Sequence, residues 1–159
     1  MYCEVFGTEL GWIAIVSSTN GVVRTSLPEL APTSALDAVK PESDRAVHGY
    51  EHNIEIRALI AAYCAGESVD LSGIEIDLAG VSPFFKKAWE ACRTIPYGET
   101  RSYVWLAEKA GNIRAARAAG QAMARNRLPL LVPCHRVVAS DGSLHGFGGS
   151  GLPLKSRLL

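Results

Sequence analysis

The sequence predicts an α/β chain in two parts: a small N-terminal α/β domain on an antiparallel sheet, and a mainly helical C-terminal domain carrying a helix-turn-helix. Three observations predict it. β-rich runs crowd the first 27 residues, helical periodicities follow, and the charge inverts near residue 80. Residues 1–80 hold 12 acidic and 4 basic side chains, and residues 81–159 hold 4 acidic and 12 basic ones, although the whole chain is neutral. That asymmetry points to a polyanionic partner for the second part, or to attraction between the two halves.

At 159 residues and 48% hydrophobic, the chain has the material for a packed core. Its longest apolar runs, such as LPLLVP, fall far below the roughly 20 residues of a membrane helix, and MYCEVFGTEL lacks the features of a signal peptide. A cytoplasmic protein without membrane association is expected. Cys3, Cys64, Cys92 and Cys134 show no CxxC spacing, so each is read singly. Zinc held by Cys3 with His48 and His52 would match no standard spacing, and no metal is expected.

YCEVFGT, GWIAIVSS and GVVRTSL, separated by ELG and STNG, predict an antiparallel meander. PELAPTSALDAVKPESD reads as a surface connection. YEHNIEIRALIAAYCAG predicts a helix ending at Gly66, with Ile56, Leu59, Ile60 and Tyr63 on its inner face and Cys64 near it. A boundary in DLAGVSP, where the charge changes, divides a first domain, 1–80, from a second, 81–159. Ser82 caps the next helix, Pro83 suits its first turn, and Phe85, Ala88, Trp89, Cys92 and Ile95 recur toward a core.

After the turn IPYGET, RSYVWLAEKAG predicts a short helix closed by Gly111, and Asn112 is placed to cap IRAARAAGQAMARN as a second helix. Arg114, Arg117, Gln121 and Arg125 are spaced to share one basic face, either a phosphate-binding surface or a solvated one. The small residues Ala116, Ala118 and Gly120 would let that helix backbone come close to a ligand, although Gly120 costs about 1 kcal/mol of helix propensity.

LVPCHRVV then sets Cys134, His135 and Arg136 in an apolar stretch. A thiolate near positive charge is a candidate nucleophile, but adjacent residues of an extended chain face opposite ways. His135 would serve Cys134 only through a turn or a water. On the dipeptide alone, a packing role is favoured over a catalytic one.

PCHRV, preceded by IPYGETRSYVWLA and AARAAGQAMARN and followed by DGSLHGFGG and LKSRLL, resembles the O6-alkylguanine-DNA alkyltransferases in order and spacing over residues 82–159. The likeness of residues 1–80 is loose. The resemblance implies a ribonuclease H-like first domain and a winged-helix-like second one. It implies direct, stoichiometric repair of O6-alkylguanine in double-stranded DNA by a monomer that needs no cofactor. Cys134 would take the alkyl group, His135 would act through a water as its base, and Tyr103 would protonate the departing guanine. Arg117 would fill the gap left by the flipped base, with the helix in the minor groove and little sequence preference.

Asn126 matches a residue tying that helix to the active-site strand. The carbonyls of Cys134 and Val137 match readers of the guanine amino group, and Pro133, Trp105, Phe147, Gly148 and Gly149 match the pocket. Arg136 and Lys155 match structural positions. Phe147 replaces a tyrosine, the stretch through Ser150 to Lys155 runs one residue long, and Arg127 replaces a proline. Relatives continue to a glutamate that orients the histidine, whereas this sequence ends in RLL, so slower transfer is expected than in a relative carrying it. Two rival readings remain: a lesion sensor of the same fold that removes nothing, and a Cys-His hydrolase or thiol-based DNA-binding regulator.

Overall fold

The computed structural model describes residues 1–48, 52–140 and 158, which form a mixed α/β protein. The chain divides into two compact units: 1–77 with 127–131, and 78–126 with 132–159. No helix among the described residues is long and apolar enough to cross a membrane.

Unit 1 is built on β1 (Tyr2–Thr8), β2 (Gly11–Ser18), β3 (Gly21–Thr25) and β4 (Val47–His48), in the order β3-β2-β1-β4. The three expected strands pair antiparallel, Tyr2 opposite Ser17 and Ile15 opposite Thr25. β4 joins β1 in parallel, so the sheet is mixed rather than antiparallel throughout. Gly21 has φ +140°, and a Cβ there would stand 2.7 Å from the Glu75 carbonyl oxygen. That same oxygen accepts from Val22 N, so the turn needs glycine both for its backbone and for this approach.

β2 is buried from Ile13 through Ser17, as a strand covered on both faces should be. On one face Cys3, Ala14 and Val16 pack with Ala35 and Val39. Ala35 belongs to α1 (Pro32–Ala38), in the stretch read from sequence as a surface connection. Pro32 supplies the helix start, and Ala35, Leu36 and Val39 share one side of it. The Pro, Ser and acidic content that suggested a loop lies on the other side and in the 3-10 turn Glu42–Arg45.

α2 (Ile54–Cys64) meets the opposite face, where Arg57 lies 5.6 Å over the Phe6 ring and 4.0 Å from the buried Glu4 carboxylate. Ile60, Tyr63 and Cys64 are buried as expected, but Leu59 is 37% exposed. It lines an open cleft with Val22, Ile56 and Ile74. The inner face of α2 is therefore rotated toward Cys64.

Unit 2 opens with α3 (Pro83–Arg93). Ser82 Oγ accepts from Phe85 N, and Ala88, Trp89 and Cys92 are buried. Trp89 is 2% exposed and its Nε1 donates to Ala122 O at 2.9 Å, satisfying the polar end of a large buried ring. β5 (Arg101–Ser102) leads into α4 (Tyr103–Lys109), capped by Ser102 Oγ accepting from Trp105 N. α4 ends at Gly111, φ +102°, with Gly111 N donating to Glu108 O and Asn112 N to Ala107 O. Those two bonds make a Schellman motif, which consumes the last carbonyls of the helix.

α5 spans Ala116–Ala124, three residues shorter at its start than the sequence implied. Asn112 does not cap it: Asn112 Oδ1 accepts from Arg114 N, forming a local turn ahead of the helix. Cys134–Arg136 form a 3-10 turn, and β6 (Val137–Val138) pairs in parallel with β5.

Residues 127–131 belong to unit 1 although both neighbouring segments belong to unit 2. Leu128, Leu130 and Leu131 are buried, and Leu130 has φ +73°. For a leucine that conformation costs about 1–2 kcal/mol, which burial of the three side chains offsets.

Candidate active site and nucleic-acid interface

The site is built around a turn. Cys134 N donates to Val132 O at 2.7 Å, Arg136 N to Pro133 O at 2.9 Å, and Val137 N closes on Cys134 O. The turn option for LVPCHRVV is the one adopted, so Cys134 and His135 are not splayed as in a strand. His135 is fully buried and Cys134 is 7% exposed. Pro133 and Val137 are also buried.

Pairing of β5 with β6 sets Arg101 opposite Val137 and Ser102 opposite Val138. Tyr103, next along the chain, therefore begins α4 beside the reactive turn. Burial and then the charge of Cys134 push the Tyr103 phenol above its ordinary pKa, so the hydroxyl holds its proton and remains a donor. Trp105 is half-buried, with the Arg101 guanidinium 5.7 Å from its ring centroid. Asn126 Nδ2 donates to Val132 O at 2.9 Å, linking the residue after α5 to the start of the turn. Arg136 Nη1 donates to Ile95 O at 2.8 Å and its guanidinium lies 5.7 Å from the Tyr97 ring centroid, a carbonyl partner of the kind a half-buried arginine requires.

The basic surface differs from the sequence expectation. Arg117 and Gln121 lie on α5 and are exposed, but Arg114 precedes the helix and Arg125 follows it as the C-cap. The single helical face of four residues is therefore a helix pair extended by two terminal residues, because the Asn112 turn delays the helix. All four side chains stay exposed. Ala116, Ala118 and Gly120 are half-buried, and a Cβ on Gly120 would meet nothing within 4 Å. The helix surface there is open. Ala119 and Ala122 instead face the core.

Phe147, Gly148, Gly149, Ser150 and Lys155 lie outside the described residues. The zinc candidates are dispersed: Cys3 is in the sheet core, His48 Nε2 is 3.1 Å from Ser43 O, and His52 stacks on Tyr2. Among the described residues no three His, Cys, Asp or Glu side chains are placed to hold a metal. Sequence reasoning assigned no role to Arg101 or Tyr97, whose partners lie four and 39 residues away; only the alternation of basic and aromatic residues hinted at them.

Comparison with known proteins decides the family. Residues 83–159 match the model of the 6-O-methylguanine DNA methyltransferase DNA-binding domain. A methylated-DNA–protein-cysteine methyltransferase of Methanosarcina acetivorans is 42% identical over 160 residues, covering 100% of this chain and 96% of the relative. The chain belongs to this family. The relative of that name from Mycolicibacterium paratuberculosis is 50% identical over 100 residues, which span 63% of this chain and 59% of that protein. Among solved structures of the family, Mycobacterium tuberculosis OGT in complex with DNA superposes with a TM-score of 0.84 at 31% identity, covering 100% of this chain and 91% of that one.

Proposed function

We propose that the chain repairs O6-alkylguanine, chiefly O6-methylguanine, in double-stranded DNA by moving the alkyl group irreversibly onto Cys134. The observation that carries this reading is the juxtaposition of a nearly buried cysteine in a tight turn with a tyrosine whose phenol feels that cysteine's charge. The names of the relatives describe transfer from methylated DNA to a protein cysteine, and the M. tuberculosis relative was solved with DNA.

In the proposed reaction His135, through a water, takes the thiol proton. The sulfur forms a bond to the alkyl carbon as the carbon–oxygen bond breaks, and its electron pair leaves with the guanine, which Tyr103 protonates. The products are a thioether and an unmodified base. A sulfur so little exposed requires the lesion to leave the stack, at a cost of a few kcal/mol. Arg117 occupies the vacated position, Arg114, Gln121 and Arg125 hold the backbone, and the small residues Ala116, Ala118 and Gly120 fit α5 to a minor groove with little sequence preference. Asn126, Trp105, Pro133 and Val137 shape the pocket with Phe147, Gly148 and Gly149, while Arg136 and Lys155 brace it.

Residues 1–80 serve as a ribonuclease H-like scaffold, and residues 81–159 form a winged-helix-like DNA-binding domain whose helix-turn-helix is α4 and α5. The protein acts as a cytoplasmic monomer without a cofactor.

Incubation with a duplex containing O6-methylguanine is expected to add one methyl mass, mapped to Cys134, in a reaction that stops at one equivalent. No mass gain on an intact protein would refute the assignment. Tyr103→Phe is expected to slow transfer about a hundredfold, the usual scale for one positioned acid. Because the phenol pKa is raised, the wild-type rate should persist above the ordinary tyrosine range near pH 10 before the donor is lost. The Phe variant should lack that alkaline fall in a pH–rate profile.

A further inference from the structure

We propose that Thr25, at the end of β3, is a positioning residue for Cys134, acting through the loop 127–131. The proposal rests on the reading of Cys134 as alkyl acceptor and adds a control that lies more than a hundred residues away in sequence.

Three hydrogen bonds tie the loop to Thr25 and Asp77. Thr25 N donates to Arg127 O at 2.9 Å and Thr25 Oγ1 donates to Pro129 O at 2.9 Å. Arg127 Nη2 donates to Asp77 O at 2.9 Å. Thr25 itself is 4% exposed and its strand position is set by pairing with Ile15. One side chain and its own amide thus take two carbonyls of the same loop, two residues apart.

Leu130, next along, is the non-glycine residue of positive φ among the described residues. Such a backbone persists only where its surroundings over-determine it. The anchors on Arg127 and Pro129, with buried Leu128 and Leu131 on either side, supply that determination.

The strained residue is four positions from the reactive one. Where the loop ends, Val132 O receives both Asn126 Nδ2 and Cys134 N. A loop that relaxes at Leu130 therefore moves the carbonyl from which the Cys134 turn hangs. Displacements of about an ångström at a reacting atom cost up to roughly a hundredfold in rate. Burying an unpaired Pro129 carbonyl would favour such relaxation.

The test uses the full chain and O6-benzylguanine as a substrate free of DNA. Thr25→Val keeps the shape and removes the hydroxyl. It is expected to lower the maximal single-turnover rate about tenfold while leaving the half-saturating concentration and DNA affinity unchanged. Thr25→Ser is expected to restore the rate, and Thr8→Val, which removes a 2.7 Å bond to Gly11 O elsewhere in unit 1, to transfer at the wild-type rate. A wild-type rate for Thr25→Val, or an equal loss in Thr8→Val, would overturn the proposal.

Iodoacetamide labelling of Cys134, mapped by peptide mass, separates this claim from the proposed activity. If the wild type transfers nothing, the repair reading falls. The positioning claim then stands or falls on whether Thr25→Val slows labelling of Cys134. Should Thr25→Val fail to fold, Arg127→Met, which loses the bond to Asp77 O, is expected to show the same tenfold fall, and a wild-type rate there sinks the proposal.

Discussion

Cys134→Ser yields a chain whose mass does not change after incubation with methylated duplex, at unaltered DNA affinity. Serine has nearly the volume of cysteine, so the Cys134–Arg136 turn and its bonds to Val132 and Pro133 carbonyls persist. What disappears is the ionisable, polarisable nucleophile: a hydroxyl at this buried position stays protonated and attacks an alkyl carbon poorly. The loss should exceed about a thousandfold, since removing a nucleophile leaves only binding and orientation. Arg114, Arg117, Gln121 and Arg125 are untouched by the change, so fluorescence anisotropy with labelled duplex should give the wild-type curve. A methyl group recovered on Cys3, Cys64 or Cys92 would contradict the assignment, since each is buried in packing.

The largest expected effect on stability falls on Trp89→Ala. The ring is 2% exposed and joins α3 to α5 both by packing and by the Nε1 bond to Ala122 O. Truncating a buried tryptophan costs about 3–5 kcal/mol through lost burial and the cavity left behind. Trp89→Phe should cost less, and the lost hydrogen bond alone contributes about 1 kcal/mol to that difference. Urea unfolding followed by far-ultraviolet circular dichroism measures both midpoints. Because Trp89 holds the buried side of the helix that carries Arg117, Trp89→Ala should also weaken DNA binding, whereas Trp89→Phe should leave most of it. An unshifted midpoint for Trp89→Ala would show that α3 does not clamp α5.

The strands of unit 1 were legible because turn residues bracket each run and burial on both sides makes β2 continuously apolar. α1 was not, since a seven-residue helix rich in Pro, Ser and Asp differs from a loop only by the three residues that reach the sheet. The start of α5 was misread for a local reason: Asn112 has equal chemistry for capping a helix and for closing a turn, and only the backbone at Ala115 decides. Leu59 was misplaced because one hydrophobic residue fits either side of a helix whose apolar arc is wide.

At the site, Cys134 and His135 stood out by type, and the turn that unites them follows from Pro133 and the hydrogen bonds behind it. The role of Thr25 carried no signal, because a threonine ending a strand is ordinary until its partners 102 and 104 positions along are known. Arg127 is likewise read as a substitution for a usual proline until its guanidinium is seen on Asp77 O.

The two-residue ladder between Arg101–Ser102 and Val137–Val138 has a final implication. It ties the sulfur and the phenol to a common main-chain ruler, since Cys134 lies three residues before one rung and Tyr103 one residue past the other. A slip by a single rung would present Ser102 or Val104 in place of the phenol. Evolution of this site is therefore free to vary the turn ahead of the ladder as far as Ile95 and Tyr97 keep their contacts with Arg136, but not to add or delete a residue between the ladder and either reacting side chain without resetting the pair.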